Sequence, residues 1–78
     1  MIRKSVTARM VKSIGWQDNT LEVEYISGLI HQYHGVTEDE YVRCLIGNID
    51  KKVRLIGKSH YFTRMESKQK PRQNDEET

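Results

Sequence analysis

The sequence lacks several features that would define a secreted, membrane or zinc-binding protein. Cys44 is the only cysteine in 78 residues, which excludes an internal disulfide and a cysteine-rich zinc site. The longest uncharged apolar run, Tyr25 to Ile30, falls far short of the ~20 residues that a membrane-spanning helix needs. The basic N-terminus is not followed by an apolar segment, so we expect no secretory signal. These features favour a reducing, cytoplasmic location without membrane attachment.

No arrangement of residue types corresponds to a known catalytic or metal site. The sequence has no phosphate-binding glycine loop, no HExxH motif and no Ser-His-Asp order. His31 and His34 would point to opposite faces of a strand, so they cannot chelate one ion together. Cys44 lies among apolar neighbours and is expected to be a small buried core residue. We therefore expect a protein that is not an enzyme and has no cofactor or metal.

Basic residues are concentrated in residues 51–64, which contain no acidic side chain. The net charge of +2 is too small by itself to indicate a nucleic-acid partner, but its distribution is uneven. The acid-free stretch contains five basic side chains: Lys51, Lys52, Arg54, Lys58 and Arg64. Such a cluster could follow a phosphate backbone, or it could be an ordinary solvated helix face.

The length and the composition predict one folded domain between a flexible N-terminal segment and a disordered C-terminal tail. A chain of 78 residues forms one domain at most, with a thin core. Residues 66–78 hold no apolar side chain other than Pro71, so they are predicted to be a disordered polar tail. Residues 1–6 are predicted to be flexible. The folded domain is therefore placed at residues 7–65.

Apolar periodicity within the domain predicts strands followed by helices. A first strand is expected within residues 7–16, and strict apolar–acidic alternation predicts a second at residues 21–25. Ser27-Gly28 reads as a tight turn into a third strand, Leu29–His34. Thr37 and Glu40 form a capping-box pattern at a helix start, and a second short helix is expected at residues 51–56. The predicted fold is α+β, a three-stranded antiparallel β-meander followed by one or two short helices packed on one face.

A two-residue Ser27-Gly28 loop would fix the register of the hairpin. Tyr25 would then lie opposite Ile30, on the core face with Leu21 and Val23. His31 would lie opposite Glu24, and Tyr33 opposite Glu22, on the face away from the core. There His31 and Tyr33 could form an open platform for stacking an unpaired base. Alternatively, they could simply hydrogen-bond the two glutamates.

Five segments, taken in order, resemble the KTSC domain family, a small module named for the C-terminus of some lysyl-tRNA synthetases. They are SIGW at 13–16, LEVEY at 21–25, Gly28 with IHQYHGV at 30–36, the acidic helix start, and GKSHYF at 57–62. The family's Tyr-x-Tyr signature reads His31-Gln32-Tyr33 in this chain. The resemblance covers about residues 7–65 and implies a stand-alone bacterial or phage protein. RNA binding has been suggested for the family by association with the synthetase.

Two functions follow as expectations, both of them binding roles. The first is binding of RNA or another single-stranded nucleic acid. The alternative is a protein–protein interaction module that docks through the open sheet face or an edge strand, as a monomer or a weak homodimer. The residues expected to bind nucleic acid are Tyr33, His31, Lys51, Lys52, Arg54, Lys58 and Arg64.

Overall fold

A computed structural model describes residues 2–66, which form one antiparallel sheet and two helices. The sheet order is β1-β2-β3-β4-β5, so every strand pairs with its neighbour in the sequence. The elements are β1 (Lys4–Ser5), β2 (Val11–Gln17), β3 (Thr20–Tyr25), β4 (Leu29–His34), α1 (Glu38–Cys44), α2 (Ile49–Ser59) and β5 (Phe62–Glu66).

The α+β class is confirmed, but the predicted number of three strands is wrong because the sheet has five. The predicted meander corresponds to β2, β3 and β4. Strand β1 lies within the N-terminal residues that were predicted to be flexible, and it pairs with β2. Strand β5 follows the helices and pairs with β4. Of the predicted polar tail, Glu66 ends β5, and residues 67–78 lie outside the described part of the chain.

Both helices lie on one face of the sheet and close the core. Val11, Ile14, Leu21 and Val23 project from β2 and β3 and are almost completely buried. The helices and the loop before them contribute Val36, Cys44, Val53 and Ile56 to the same cluster. Burial of these aliphatic side chains is the main stabilising contribution in so small a domain. In the part of the chain that the structure describes, neither helix is long and apolar enough to cross a membrane.

The β3–β4 loop differs from the prediction by one residue, and this changes which side chains face the core. Strands β3 and β4 are separated by residues 26–28, with Gly28 at φ 101, as in three-residue hairpin loops that end with a glycine of positive φ. Leu21 therefore lies opposite Tyr33, and Val23 opposite His31. The predicted pairs of Glu24 with His31 and Glu22 with Tyr33 are wrong, because a shift of one residue moves a side chain to the other face.

The consequence is an exchange of residues between the two faces of the sheet. His31 and Tyr33 share the helix-covered face with Leu21 and Val23. Ile30, predicted to lie on that face, pairs instead with Glu24 on the opposite one.

Each helix begins at a side-chain cap. Thr37 and Glu40 form the predicted capping box: the Glu40 backbone N–H donates to Thr37 Oγ1 at 3.2 Å, and the Thr37 N–H donates to Glu40 Oε1 at 2.9 Å. The N-cap of α2 is Asn48, which accepts from the Lys51 N–H, so the helix starts earlier than predicted.

Replacing Thr37 by Ala removes the hydroxyl that accepts the Glu40 N–H, and we expect it to lower the free energy of unfolding by about 1 kcal/mol. Thr37→Ser keeps the hydroxyl and serves as the matched control, with near wild-type stability expected. Urea unfolding followed by circular dichroism measures both. Equal losses in the two variants would contradict the assignment of Thr37 as the cap.

Candidate nucleic-acid interface

Tyr33, the first residue of the predicted stacking platform, is a core residue. Only 5% of it is exposed, because α2 lies across its ring. Gly57 allows this approach, since a Cβ at that position would lie 3.2 Å from Cε1 of Tyr33. The Tyr33 ring therefore offers no face to a base, and the predicted stacking role of Tyr33 is wrong.

The Tyr33 hydroxyl is the centre of a short hydrogen-bond chain. It lies 2.8 Å from the Tyr25 hydroxyl and 3.0 Å from Nδ1 of His31. Burial, followed by this hydrogen bond, raises the pKa of Tyr25 well above its ordinary value. Tyr25 therefore carries its proton at neutral pH and can act as a donor or an acceptor.

His31, the second residue of the platform, is half-buried and has aromatic neighbours on both sides. Its ring centroid is 5.1 Å from Tyr25, edge to face, and 4.7 Å from Phe62, with a tilt of 32°. Burial, and then the Arg64 guanidinium, lower the pKa of His31 below its ordinary value. His31 is therefore neutral at pH 7, with one donor and one acceptor nitrogen.

These aromatic residues line a pocket of about 360 Å³ between α2 and the ends of β3, β4 and β5, hereafter the aromatic pocket. Its walls include Tyr25, His31 and Phe62 from the sheet, and Arg54 and Lys58 from the helix. Phe62 is half exposed, so part of its ring faces solvent.

Two of the predicted cations, Arg54 and Lys58, line this pocket, and Lys51 and Arg64 lie beside it. Lys51, Arg54 and Lys58 are exposed along α2 at spacings of three and four residues, which share one helix face. Arg64 on β5 lies opposite His31 in the sheet, on the helix-covered side. With Arg9, which lines an adjoining hollow beside Lys51 and Arg54, these four residues are hereafter the basic surface. None of its five cations forms an ion pair with a carboxylate of residues 2–65.

The structure does not bring Lys52 to the basic surface. Its ammonium donates to the backbone carbonyl of Arg43 at 3.3 Å, near the end of α1. A cation in that position stabilises unpaired carbonyls at a helix C-terminus. Lys52 therefore connects the two helices, and its predicted contact with phosphate has no support from this geometry.

Among residues 2–65, Asp50 is the one carboxylate that lines the aromatic pocket. Its two oxygens accept the backbone N–H groups of Arg9 (2.9 Å) and Met10 (3.2 Å). These bonds hold the segment before β2 against the start of α2 and bring Arg9 to the helix cations. The contact joins residues forty positions apart in sequence, so local patterns alone do not show that Arg9 reaches the helix cations.

On the opposite face of the sheet, one arginine is paired with two glutamates. Arg3 forms ion pairs with Glu22 and Glu24, and its Nε donates to Ser13 Oγ at 3.1 Å. Gln32 donates to Glu22 at 2.8 Å. The two glutamates that would repel phosphate are thus turned away from the basic surface and paired.

The remaining chemically versatile residues are dispersed. His34 bonds Thr63, and His60 bonds Glu40 and the His34 carbonyl, so neither contacts Cys44. Within residues 2–65, no three His, Cys, Asp or Glu side chains come close enough together to hold a metal ion. Trp16 lies away from the pocket, where its Nε1 donates to the Val36 carbonyl at 2.7 Å.

Cys44 is expected to be unreactive in the folded protein. Burial raises the pKa of its thiol to about 11, so thiolate is scarce at pH 8. We expect a thiol reagent such as DTNB to react with native protein at least ~100-fold more slowly than with urea-unfolded protein, and faster as the pH rises. Native labelling as fast as that of the unfolded chain would contradict the buried position.

Comparison with known proteins adds no relative: no protein-family model matches the chain, and no curated protein matches it significantly. The class of the protein therefore rests on its own features. It is a small α+β protein in which an open antiparallel sheet and one amphipathic helix enclose an aromatic pocket with a cationic rim.

Proposed function

We propose that this protein binds single-stranded nucleic acid, RNA in the first instance, across the basic surface and the aromatic pocket. The observation that carries the proposal is the position of the five cations around exposed aromatic surface. Cations that follow a phosphate backbone, next to rings on which bases can stack, are the usual components of single-strand binding sites. The strand would contact Lys51, Arg54, Lys58 and Arg64 on its phosphates, with Arg9 at one end.

The expected roles of the predicted residues change in this proposal. His31 stays as a binding residue at the pocket wall, and Phe62 supplies the stacking ring. Tyr33 orients His31 and Tyr25 from beneath, while Lys52 has a structural role between the helices. We propose in addition that the chain is a KTSC-like protein of bacterial or phage origin. It would be cytoplasmic and would have no enzymatic activity.

The test is fluorescence anisotropy of labelled single-stranded RNA and DNA, titrated with the protein at several salt concentrations. We expect saturable binding whose log affinity falls with log salt at a slope of about −3, as for four or five phosphate contacts at ~0.7 each. Trp16 is remote from the site, so a label on the strand is the better reporter. No binding even at ~20 mM salt would overturn the proposal.

A protein partner is the second candidate, and the observation that favours it is the outer edge of β5, which pairs with no strand among residues 2–66. Tyr61 is 89% exposed beside this edge, and Phe62 and Met65 in the strand are also exposed. An extended peptide or a second copy of the chain could add a strand there. The opposite sheet face is less suitable, because the Arg3 network covers it with paired charges.

Charge introduced at the β5 edge separates the two candidates. A Tyr61→Glu variant should weaken strand addition, detected as loss of self-association by light scattering or loss of a captured partner. The slope of log affinity for nucleic acid against log salt should stay unchanged, because Tyr61 lies outside the aromatic pocket.

A further inference from the structure

The hydrogen-bond chain beside the aromatic pocket has two free ends. The Tyr33 hydroxyl contacts both Tyr25 Oη and His31 Nδ1, so it donates its single proton to one of them and accepts from the other. Among residues 2–65, Tyr25 Oη has no hydrogen-bond partner other than Tyr33, and His31 Nε2 has none. Both side chains line the pocket.

The two free ends have opposite hydrogen-bonding character. If His31 Nδ1 accepts from Tyr33, then Nε2 carries the proton and donates, and the Tyr25 oxygen accepts. If Nδ1 donates, the chain runs the other way: Tyr25 donates into the pocket and Nε2 accepts. Neutral His31 permits both directions. The pocket therefore presents one donor and one acceptor, in either order.

We propose that the aromatic pocket takes one unpaired nucleobase of the bound strand, stacked on Phe62 and hydrogen-bonded by Tyr25 and His31. This inference rests on the proposed function and names the ligand of the same site. Base edges carry neighbouring donors and acceptors, which matches the two ends of the chain. Arg54, Lys58 and Arg64 flank the pocket, where they can bind the phosphates on either side of the base.

The size of the pocket and the two possible directions of the hydrogen-bond chain determine which ligands the pocket accepts. A volume of about 360 Å³ is at the small end of ligand pockets, so the site accommodates one nucleotide rather than several. Because the donor and the acceptor can exchange, the pocket requires a base without strongly preferring one base over another.

The test compares two labelled single strands of about six residues, a length within the usual single-strand site size. One strand is abasic throughout, and the other carries a single adenine or uracil at an internal position. We expect that base to raise the affinity of wild-type protein roughly 5- to 150-fold, the effect of stacking one base. Phe62→Ala should abolish this gain, and Tyr25→Phe should reduce the gain severalfold.

Tyr61→Ala is the matched control, because it removes the neighbouring, more exposed aromatic residue outside the pocket. It should keep the full gain. Wild-type binding of the abasic strand without any gain from the base would overturn this inference and leave the proposed function standing. A gain that survives Phe62→Ala, or that is lost in Tyr61→Ala, would also overturn it. Failure to bind either strand would overturn both proposals.

Discussion

Replacing Tyr33 by Ala is expected to unfold the domain rather than to weaken a binding site selectively. Removing a buried aromatic side chain costs about 3–5 kcal/mol, and the core of so small a domain rarely supplies more than about 3–5 kcal/mol. The ring is 95% buried under α2, with Gly57 against it, so the cavity cannot be refilled without moving the helix. The variant should already be largely unfolded at 25 °C. Heating it further, with unfolding followed by circular dichroism, should therefore show little or no cooperative transition.

Tyr33→Phe is the control that separates packing from hydrogen bonding. It keeps the ring and removes only the hydroxyl that contacts Tyr25 and His31, at an expected cost of about 1 kcal/mol. A folded, stable Tyr33→Ala protein would contradict the assignment of Tyr33 to the core.

Reversing two cations of the basic surface is expected to have the largest effect on binding. Arg54 and Lys58 both line the aromatic pocket, and each contact to a charged group contributes about 1.5–3 kcal/mol. The double variant R54E/K58E should therefore lose at least about a hundredfold in affinity for single-stranded RNA. Its plot of log affinity against log salt should also become shallower by about 1.4, the share of two contacts.

The matched control reverses Lys4 and Lys12, which changes the net charge by the same amount. Both residues are exposed, and neither lines the pockets beside the basic surface. K4E/K12E should lose only the small, long-range part of the attraction. Equal losses in the two double variants would mean that overall charge, rather than the basic surface, governs binding.

The sequence predicted the elements that local patterns define. The alternation of Leu21, Val23 and Tyr25 with glutamates identified β3, and the Thr37–Glu40 pattern identified the start of α1. The register of β4 was missed because Ser27-Gly28 can serve in loops of two or three residues. Only the longer loop puts His31 and Tyr33 on the core face with Tyr25.

The edge strands and half of the site depend on contacts between distant residues. Strand β1 has two residues, too few for any periodic signal. Strand β5 carries no apolar alternation either, because each of its faces holds one apolar and one polar residue, Phe62 with Arg64 and Met65 with Thr63, so the pattern did not indicate Phe62 as a pocket residue. The charge cluster was found from composition alone. Composition could not show that Lys52 lies apart from this cluster, because the position of its ammonium depends on where α1 ends.

The sequential order of the sheet has a consequence for how the site forms. Strands β2, β3 and β4 are joined by short turns, so their pairing closes small loops and carries a low entropic cost. Strand β5 can pair with β4 only after the chain has passed through both helices. Phe62 and Arg64 belong to that strand, so we expect the open side of the pocket to form late in folding. By the same reasoning we expect the β4–β5 pairing to open more readily than the β2–β3–β4 meander.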